Sequence, residues 1–390
     1  MAGWTSSRRR GLPALPKGEP DGDQSLQELA ELARSAGAQV LGRVLQRSPR
    51  ADPATLLGRG KIDEIHSLAQ ASGATCIILD NDLTPTQLRN LELALALKVI
   101  DRTQLILDVF ARRARTREGQ LQVELAQLNY LLPRLAGRGT LLSRLGGGIG
   151  TRGPGEQQLE FDRRRVRARI RKLGEGIERV RSQRALHREH RRDCRWLTVA
   201  LVGYTNVGKS TLFNALTQAS VGTSPRLFAT LDPTVRALQL DSRRRVLLSD
   251  TVGFIRRLPP QVVVAFRATL EELEDAALLL HVTDASNPVR EQHDAAVDNL
   301  LASMNVAGKP RLRVWNKVDL LEPRERERLP GGAAEVAVSA LTGEGLGTLR
   351  SRIAAILFKD PGVKEPGVAP GLESTSDGGR LLTEVAYPES

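Results

Sequence analysis

Aromatic side chains make up only 3% of this sequence, and cysteine occurs twice in 390 residues. Cys76 and Cys194 are too few for the disulfide framework of a small secreted domain, and such scarcity fits a reducing compartment, so a cytoplasmic location is expected. Long apolar runs are missing as well. The best candidates are short pieces such as Ala276–Val282, well below the roughly 18 apolar residues that a membrane span needs. The three arginines within Ser6–Pro20 are followed by Gly, Pro, Lys and Glu, not by an apolar core, and so do not form a secretory leader. These absences exclude a membrane protein and a disulfide scaffold, and an apolar content of 41% excludes a wholly disordered chain.

What the chain does have is positive charge, unevenly placed. The formal net charge is +12, with 18 Lys/Arg against 7 Asp/Glu between Pro133 and Arg195, so +11 of it falls in 63 residues. A codon bias would explain 48 arginines against 9 lysines but not their concentration in one segment. A concentrated basic segment is the electrostatic footprint of a nucleic-acid partner, because neutralising phosphates releases counterions.

Residues 1–23, rich in Pro, Gly, Ser and Arg without periodicity, are expected to be disordered. From 24 to 117 strand-like and helix-like patterns alternate: strands over Gln39–Val44, Thr75–Leu79 and Lys98–Asp101, helices over Lys61–Ala71 and Thr84–Leu97, the latter with Pro85 in its first turn. Such alternation predicts a small parallel sheet covered by helices. Residues 118–195 change period. Leu121, Leu125, Leu128, Leu132 and Leu135 are spaced 4, 3, 4, 3, and so are Val166, Ile170, Leu173, Ile177 and Val180. Two heptad seams joined by a loop predict an antiparallel hairpin, its first helix kinked near Pro133 and its tip over Ala136–Glu156. Eight glycines in that tip permit close backbone approach to RNA, with Arg138, Arg144 and Arg152 reaching phosphates.

From 196 to 359 a third pattern begins. The strand Trp196–Val202 leads into Gly203-Tyr204-Thr205-Asn206-Val207-Gly208-Lys209-Ser210 and then a helix through about Leu216, which is GxxxxGK[ST] in its strand–loop–helix setting. The glycines turn N–H groups toward phosphates, Lys209 supplies positive charge, and the Ser210 hydroxyl is a ligand for Mg²⁺. A second strand over Leu247–Ser249 ends in Asp250-Thr251-Val252-Gly253, an acid that can hold Mg²⁺ through water and a glycine N–H suited to the third phosphate. A third, Leu312–Trp315, ends in Asn316-Lys317-Val318-Asp319. The Asp319 carboxylate can accept from two guanine donors that adenine does not present together. Lys317 can pack along the purine, Asn316 can brace the phosphate loop, and Ser339-Ala340-Leu341 can supply an N–H for the guanine oxygen. Three motifs in this order, each at a strand end, predict a guanine-nucleotide site in an α/β domain with a mostly parallel sheet.

With these motifs in place, the chain resembles the HflX family of ribosome-associated GTPases. The resemblance rests on the tip Gly150-Thr151-Arg152-Gly153-Pro154-Gly155-Glu156, the basic helix after it, Phe228-Ala229-Thr230-Leu231-Asp232-Pro233-Thr234, and Asp250–Phe254. It implies nucleotide contacts from Phe228 to Asp232, Thr230 as the second Mg²⁺ ligand, and binding to the large ribosomal subunit with splitting of stalled or idle ribosomes under stress. Phe254 stands where Ras-like proteins carry a water-orienting glutamine, so slow unaided hydrolysis, stimulation on the ribosome and no assigned catalytic base are expected. A monomer is expected. A second reading is a GTP-regulated RNA-binding or assembly factor without splitting activity, and a third, an ATP-driven RNA remodeller, lacks a second phosphate motif. His187, His190 and Cys194 lie on a basic helix without a fourth ligand and read as solvated. His281 reads as a core residue, and the Gly/Pro/Ser-rich tail 360–390 as flexible, with a short strand at Leu381–Val385.

Overall fold

The computed structural model describes residues 2–6, 22–135, 154–193, 196–219, 227–228, 234–256, 259, 272–304 and 306–358. The N-terminal unit begins with β1 (Ala2–Ser6), which pairs in parallel with β2 (Val44–Ser48). The strand expected over Gln39–Val44 lies instead at Val44–Ser48, and residues 2–6 and 22–23 of the segment expected to be disordered are ordered, while 7–21 lie outside the described residues. Local composition could not foresee a strand whose partner among the described residues lies some forty residues away. Between them α1 (Gly22–Ser35) buries Leu26, Leu29, Ala30 and Ala33 along one face.

The next elements start where local chemistry starts them. Helix α2 (Arg59–Ser72) ends on Gly73 in the left-handed region, whose N–H reaches back to the last turn. Helix α3 (Pro85–Leu95) opens with a reciprocal capping box between Thr84 and Gln87. Helix α4 (Arg102–Arg113), which pattern alone did not single out, is capped by Asp101 accepting from the Gln104 N–H at 2.9 Å. β3 (Cys76–Ile78) pairs in parallel with β4 (Lys98–Ile100). The single small sheet expected here is therefore two separate two-stranded parallel sheets. Three-residue strands offer little edge for a further neighbour, and helices cover them instead.

The heptad seams become α5 (Arg117–Leu135) and α6 (Pro154–Asp193). They run antiparallel: Leu121 lies 3.5 Å from where a Cβ on Gly176 would sit, while Glu124, one turn further along α5, takes a bidentate pair of hydrogen bonds from Arg169 at 2.7 and 2.8 Å. Leu173 is buried at the seam. A second face of α5, formed by Val123, Ala126 and Tyr130, is buried more deeply than the leucines and joins the core built with α4 and α1. Arg134, after Pro133, lies over the Tyr130 ring and donates to Tyr130 O, Leu83 O and the buried Asp101 carboxylate, tying the end of α5 to the N-terminal unit. At about 1.5 Å per residue, the 40 residues of α6 span about 60 Å.

The third unit is a six-stranded sheet in the order β10 (Glu335–Ala337), β9 (Arg311–Asn316), β8 (Leu278–Asp284), β5 (Thr198–Val202), β7 (Arg245–Asp250), β6 (Thr234–Gln239). All neighbours are parallel except β6 with β7. Every residue of β5 and β8 is buried, as expected of central strands covered on both faces. The covering helices are α7 (Lys209–Thr217), α8 (Arg290–Ser303) and α10 (Leu346–Leu357), with α9 (Pro323–Glu327) a short turn at the rim. This is the α/β P-loop fold. No helix of the described residues is long and apolar enough to cross a membrane.

Candidate functional site

The site gathers at the carboxyl ends of β5, β7, β8 and β9, where the open sheet leaves a crevice. The phosphate loop is fixed by backbone geometry. Gly208 has φ 91°, and a Cβ there would run into the Asn316 amide; a Cβ on Gly203 would run into the Val282 carbonyl. Asn206 also lies in the left-handed region, with φ 63°. The loop feeds the N-terminus of α7, so N–H groups and helix dipole converge on it. Lys209 is buried, and its Nζ donates to Gly203 O at 3.2 Å and Tyr204 O at 2.8 Å. Burial lowers its pKa to about 8, with the Asp250 charge opposing. The Ser210 hydroxyl donates to Asp250 Oδ2 at 2.7 Å.

Beyond Asp250 the chain folds back over the loop. Gly253 sits so close that a Cβ would lie 2.9 Å from Lys209 Nζ and 2.8 Å from Thr205 Cγ2. The Thr205 N–H donates to Phe254 O at 2.7 Å and the Phe254 N–H to Gly203 O at 3.1 Å, a two-bond bridge between loop and segment. The Phe254 side chain is buried. Thr251 sends its hydroxyl to Leu201 O at 2.5 Å, so its side chain serves the sheet and only its main chain can serve a ligand.

At the other end of the crevice Asn316 braces two loops, donating to Val207 O at 2.8 Å and accepting from the Ala340 N–H at 3.0 Å. Lys317, in the left-handed region with φ 64°, donates to Asn206 O at 2.8 Å and to Asp284 Oδ2 at 2.6 Å. Val318 is buried, and Ser339 turns its loop by accepting from the Thr342 N–H. Leu341 is 80% exposed beside this turn, an apolar surface suited to a base. Asp319 Oδ1 is buried without a protein partner, which suits an acceptor awaiting ligand donors.

Phe228 packs its ring edge-on against Phe110 of α4, with centroids 4.7 Å apart. Its side chain therefore belongs to the core and only its backbone can face a nucleotide. Ala229, Thr230, Leu231 and Asp232 lie outside the described residues, as do the tip arginines Arg138, Arg144 and Arg152, Cys194, and the tail from 359. No group of three or more His, Cys, Asp or Glu is placed to hold a metal among the described residues. His281 is in the core, as expected, with Nε2 3.2 Å from Asp294.

Sequence reasoning did not single out several partners. Asp284, at the end of β8, is the counter-charge of Lys317; an acid at a central strand's carboxyl end was the available signal. Glu28 and Arg102 come from the N-terminal unit. Glu28 accepts from Tyr204 Oη at 2.8 Å and from Arg102 at 2.5 Å, and no local signal marks either residue. For Mg²⁺ the donor set fits: a hydroxyl on Ser210 and the Asp250 carboxylate it touches are hard oxygen groups, the kind Mg²⁺ takes alongside substrate phosphates and water. When bound, the ion would offset charge on the phosphates.

Three family models match in succession: GTP-binding GTPase N-terminal over residues 23–111, GTP-binding GTPase Middle Region over 113–191, and 50S ribosome-binding GTPase over 198–317. The chain is similar to the GTPase HflX of Caldanaerobacter subterraneus subsp. tengcongensis, 48% identical over 87% of this chain and 79% of the relative. It is 50% identical to that of Alkalihalophilus pseudofirmus over 76% of this chain and 70% of the relative. It is also 46% identical to that of Escherichia coli, over 83% and 76%.

Proposed function

The chain belongs to the HflX family of GTPases, and from that premise we propose that it couples GTP binding and hydrolysis to engagement and separation of ribosomes. It is a GTPase with a guanine-nucleotide site. On this proposal residues 203–210 hold the phosphates, 228–232 and 250–253 respond to the third one, and 316–319 with 339–341 hold guanine. Ser210 and Thr230 hold Mg²⁺. Residues 24–117, 118–195 and 196–359 form an N-terminal unit, an RNA-facing hairpin and the GTPase unit.

The observation that carries the ribosomal part is the antiparallel pair α5–α6. It projects a helix about 60 Å long with Arg164, Arg165, Arg167 and Arg171 exposed, directly ahead of a domain matched by the 50S ribosome-binding GTPase model. Arginine forks at this density suit rRNA phosphates. Sedimentation of intact ribosomes mixed with the protein and GTP is the test. Splitting yields new free subunits, dependent on GTP and lost in Lys209→Ala; co-sedimentation with intact particles alone would overturn splitting and leave the binding-factor reading.

A further inference from the structure

The phosphate loop carries a tyrosine whose hydroxyl reaches out of its own domain. The Tyr204 ring lies parallel on the His293 ring, 3.8 Å away at 2°. Its Oη donates to Glu28 Oε2 at 2.8 Å and accepts from the Arg256 N–H at 3.0 Å. Arg102 then closes the ring. Its Nη2 donates to Glu28 Oε1 at 2.5 Å and to Arg256 O at 3.2 Å, while Nη1 holds Asp80 at 2.6 Å. Both main-chain polar groups of residue 256, two positions past Phe254, are thereby gripped, the N–H from the phosphate loop and the carbonyl from α4.

We infer that Tyr204 is a positioning residue for the GTPase reaction, one that holds the segment 253–256 down on the phosphate loop in competition with the third phosphate of GTP. This rests on the nucleotide-site reading above. The donors suited to a third phosphate are engaged by protein oxygens in this arrangement: Lys209 Nζ by Gly203 O and Tyr204 O, and the Thr205 N–H by Phe254 O. Gly253 lies against the same lysine. A diphosphate seated on the N–H groups at the start of α7 can leave the segment in place, whereas a triphosphate must lift it. Lifting breaks the Phe254 bridge, and the Tyr204 and Arg102 bonds to residue 256 resist it. The N-terminal unit thus biases the choice between GTP and GDP, through the Tyr204 hydroxyl that Glu28 orients and through Arg102 on the carbonyl of residue 256.

Tyr204→Phe keeps the ring and its stack and removes only that hydroxyl. Equilibrium titration of the full-length protein with fluorescent GDP and with GMPPNP should show the preference for GMPPNP over GDP raised about fivefold over wild type, the worth of one hydrogen bond. Glu28→Gln should shift the same ratio in the same direction, and the double variant should fall short of the two shifts combined, because both remove the Tyr204–Glu28 bond. An unchanged ratio, or equal weakening of both nucleotides, in either folded variant would overturn the assignment. Failure of the underlying site reading looks different, since wild type itself would then bind neither nucleotide.

Discussion

At the residue scale the two ends of the crevice make separable demands. Asp319 presents a buried acceptor without a protein partner, and on the proposed reading it would select guanine by pairing. Asp319→Asn should lower GTP affinity and move preference toward xanthosine triphosphate, in which a carbonyl replaces the amino group. Competition binding among GTP, XTP and ATP measures this, and unchanged discrimination would remove Asp319 from the base site. His293 makes a different prediction. Burial first, and then the Arg256 charge, lower its pKa from 6.5 to about 4. The unfolded chain takes up that proton near pH 6.5 while the native imidazole stays neutral down to about 4. Below pH 6.5 the unfolded state thus binds more protons, so this residue makes stability fall as pH drops through that window and adds no slope above it. His293→Phe, which retains an aromatic ring on Tyr204, should flatten the decline in urea-unfolding stability between pH 6.5 and 4 relative to wild type.

At the scale of elements, α5 serves two masters. Its leucine seam meets α6, yet the deeper burial is on the Val123, Ala126 and Tyr130 face, so the hairpin is rooted in the N-terminal unit. The root is polar at its end. Arg134 pairs at 3.1 Å with Asp101, which is fully buried, caps α4 and also accepts from the Leu83 N–H. Removing one partner of such a pair leaves a buried charge uncompensated, at a cost of about 3 kcal/mol or more. Arg134→Ala should therefore destabilise the N-terminal unit by about that much in chemical denaturation and raise amide exchange at the start of α4. Neither the two-faced helix nor its anchor follows from the heptad pattern, which reports one stripe and is silent about a second.

At the scale of the whole molecule, the charge asymmetry sets the expected mode of binding. If the hairpin and its tip meet rRNA, log K should fall linearly with log salt, by about 0.7 to 0.9 per neutralised phosphate. Replacing Arg138, Arg144 and Arg152 should flatten that slope by about two to three units, with GDP affinity unchanged. A slope identical to wild type would remove the tip from the interface. Much of this protein was legible in the chain order. The phosphate loop is eight consecutive residues whose glycines are required by local geometry, the base motif ends a single strand, and heptad spacing reads directly as paired helices. These features depend on neighbours in sequence, where spacing carries the information. What only the tertiary structure decided is which distant groups meet. Examples are the β1–β2 pair, whose first strand lies in a segment expected to be disordered, two small sheets in place of one, and Phe228 turned into the core against Phe110. Tyr204 and Glu28 meet across 176 positions of chain. A tyrosine hydroxyl or a surface-type glutamate has no periodicity to betray its partner. Burial of Tyr204 and partial burial of Glu28, with each hydrogen-bonding capacity to be satisfied, bring them together once the N-terminal unit is packed on the GTPase unit.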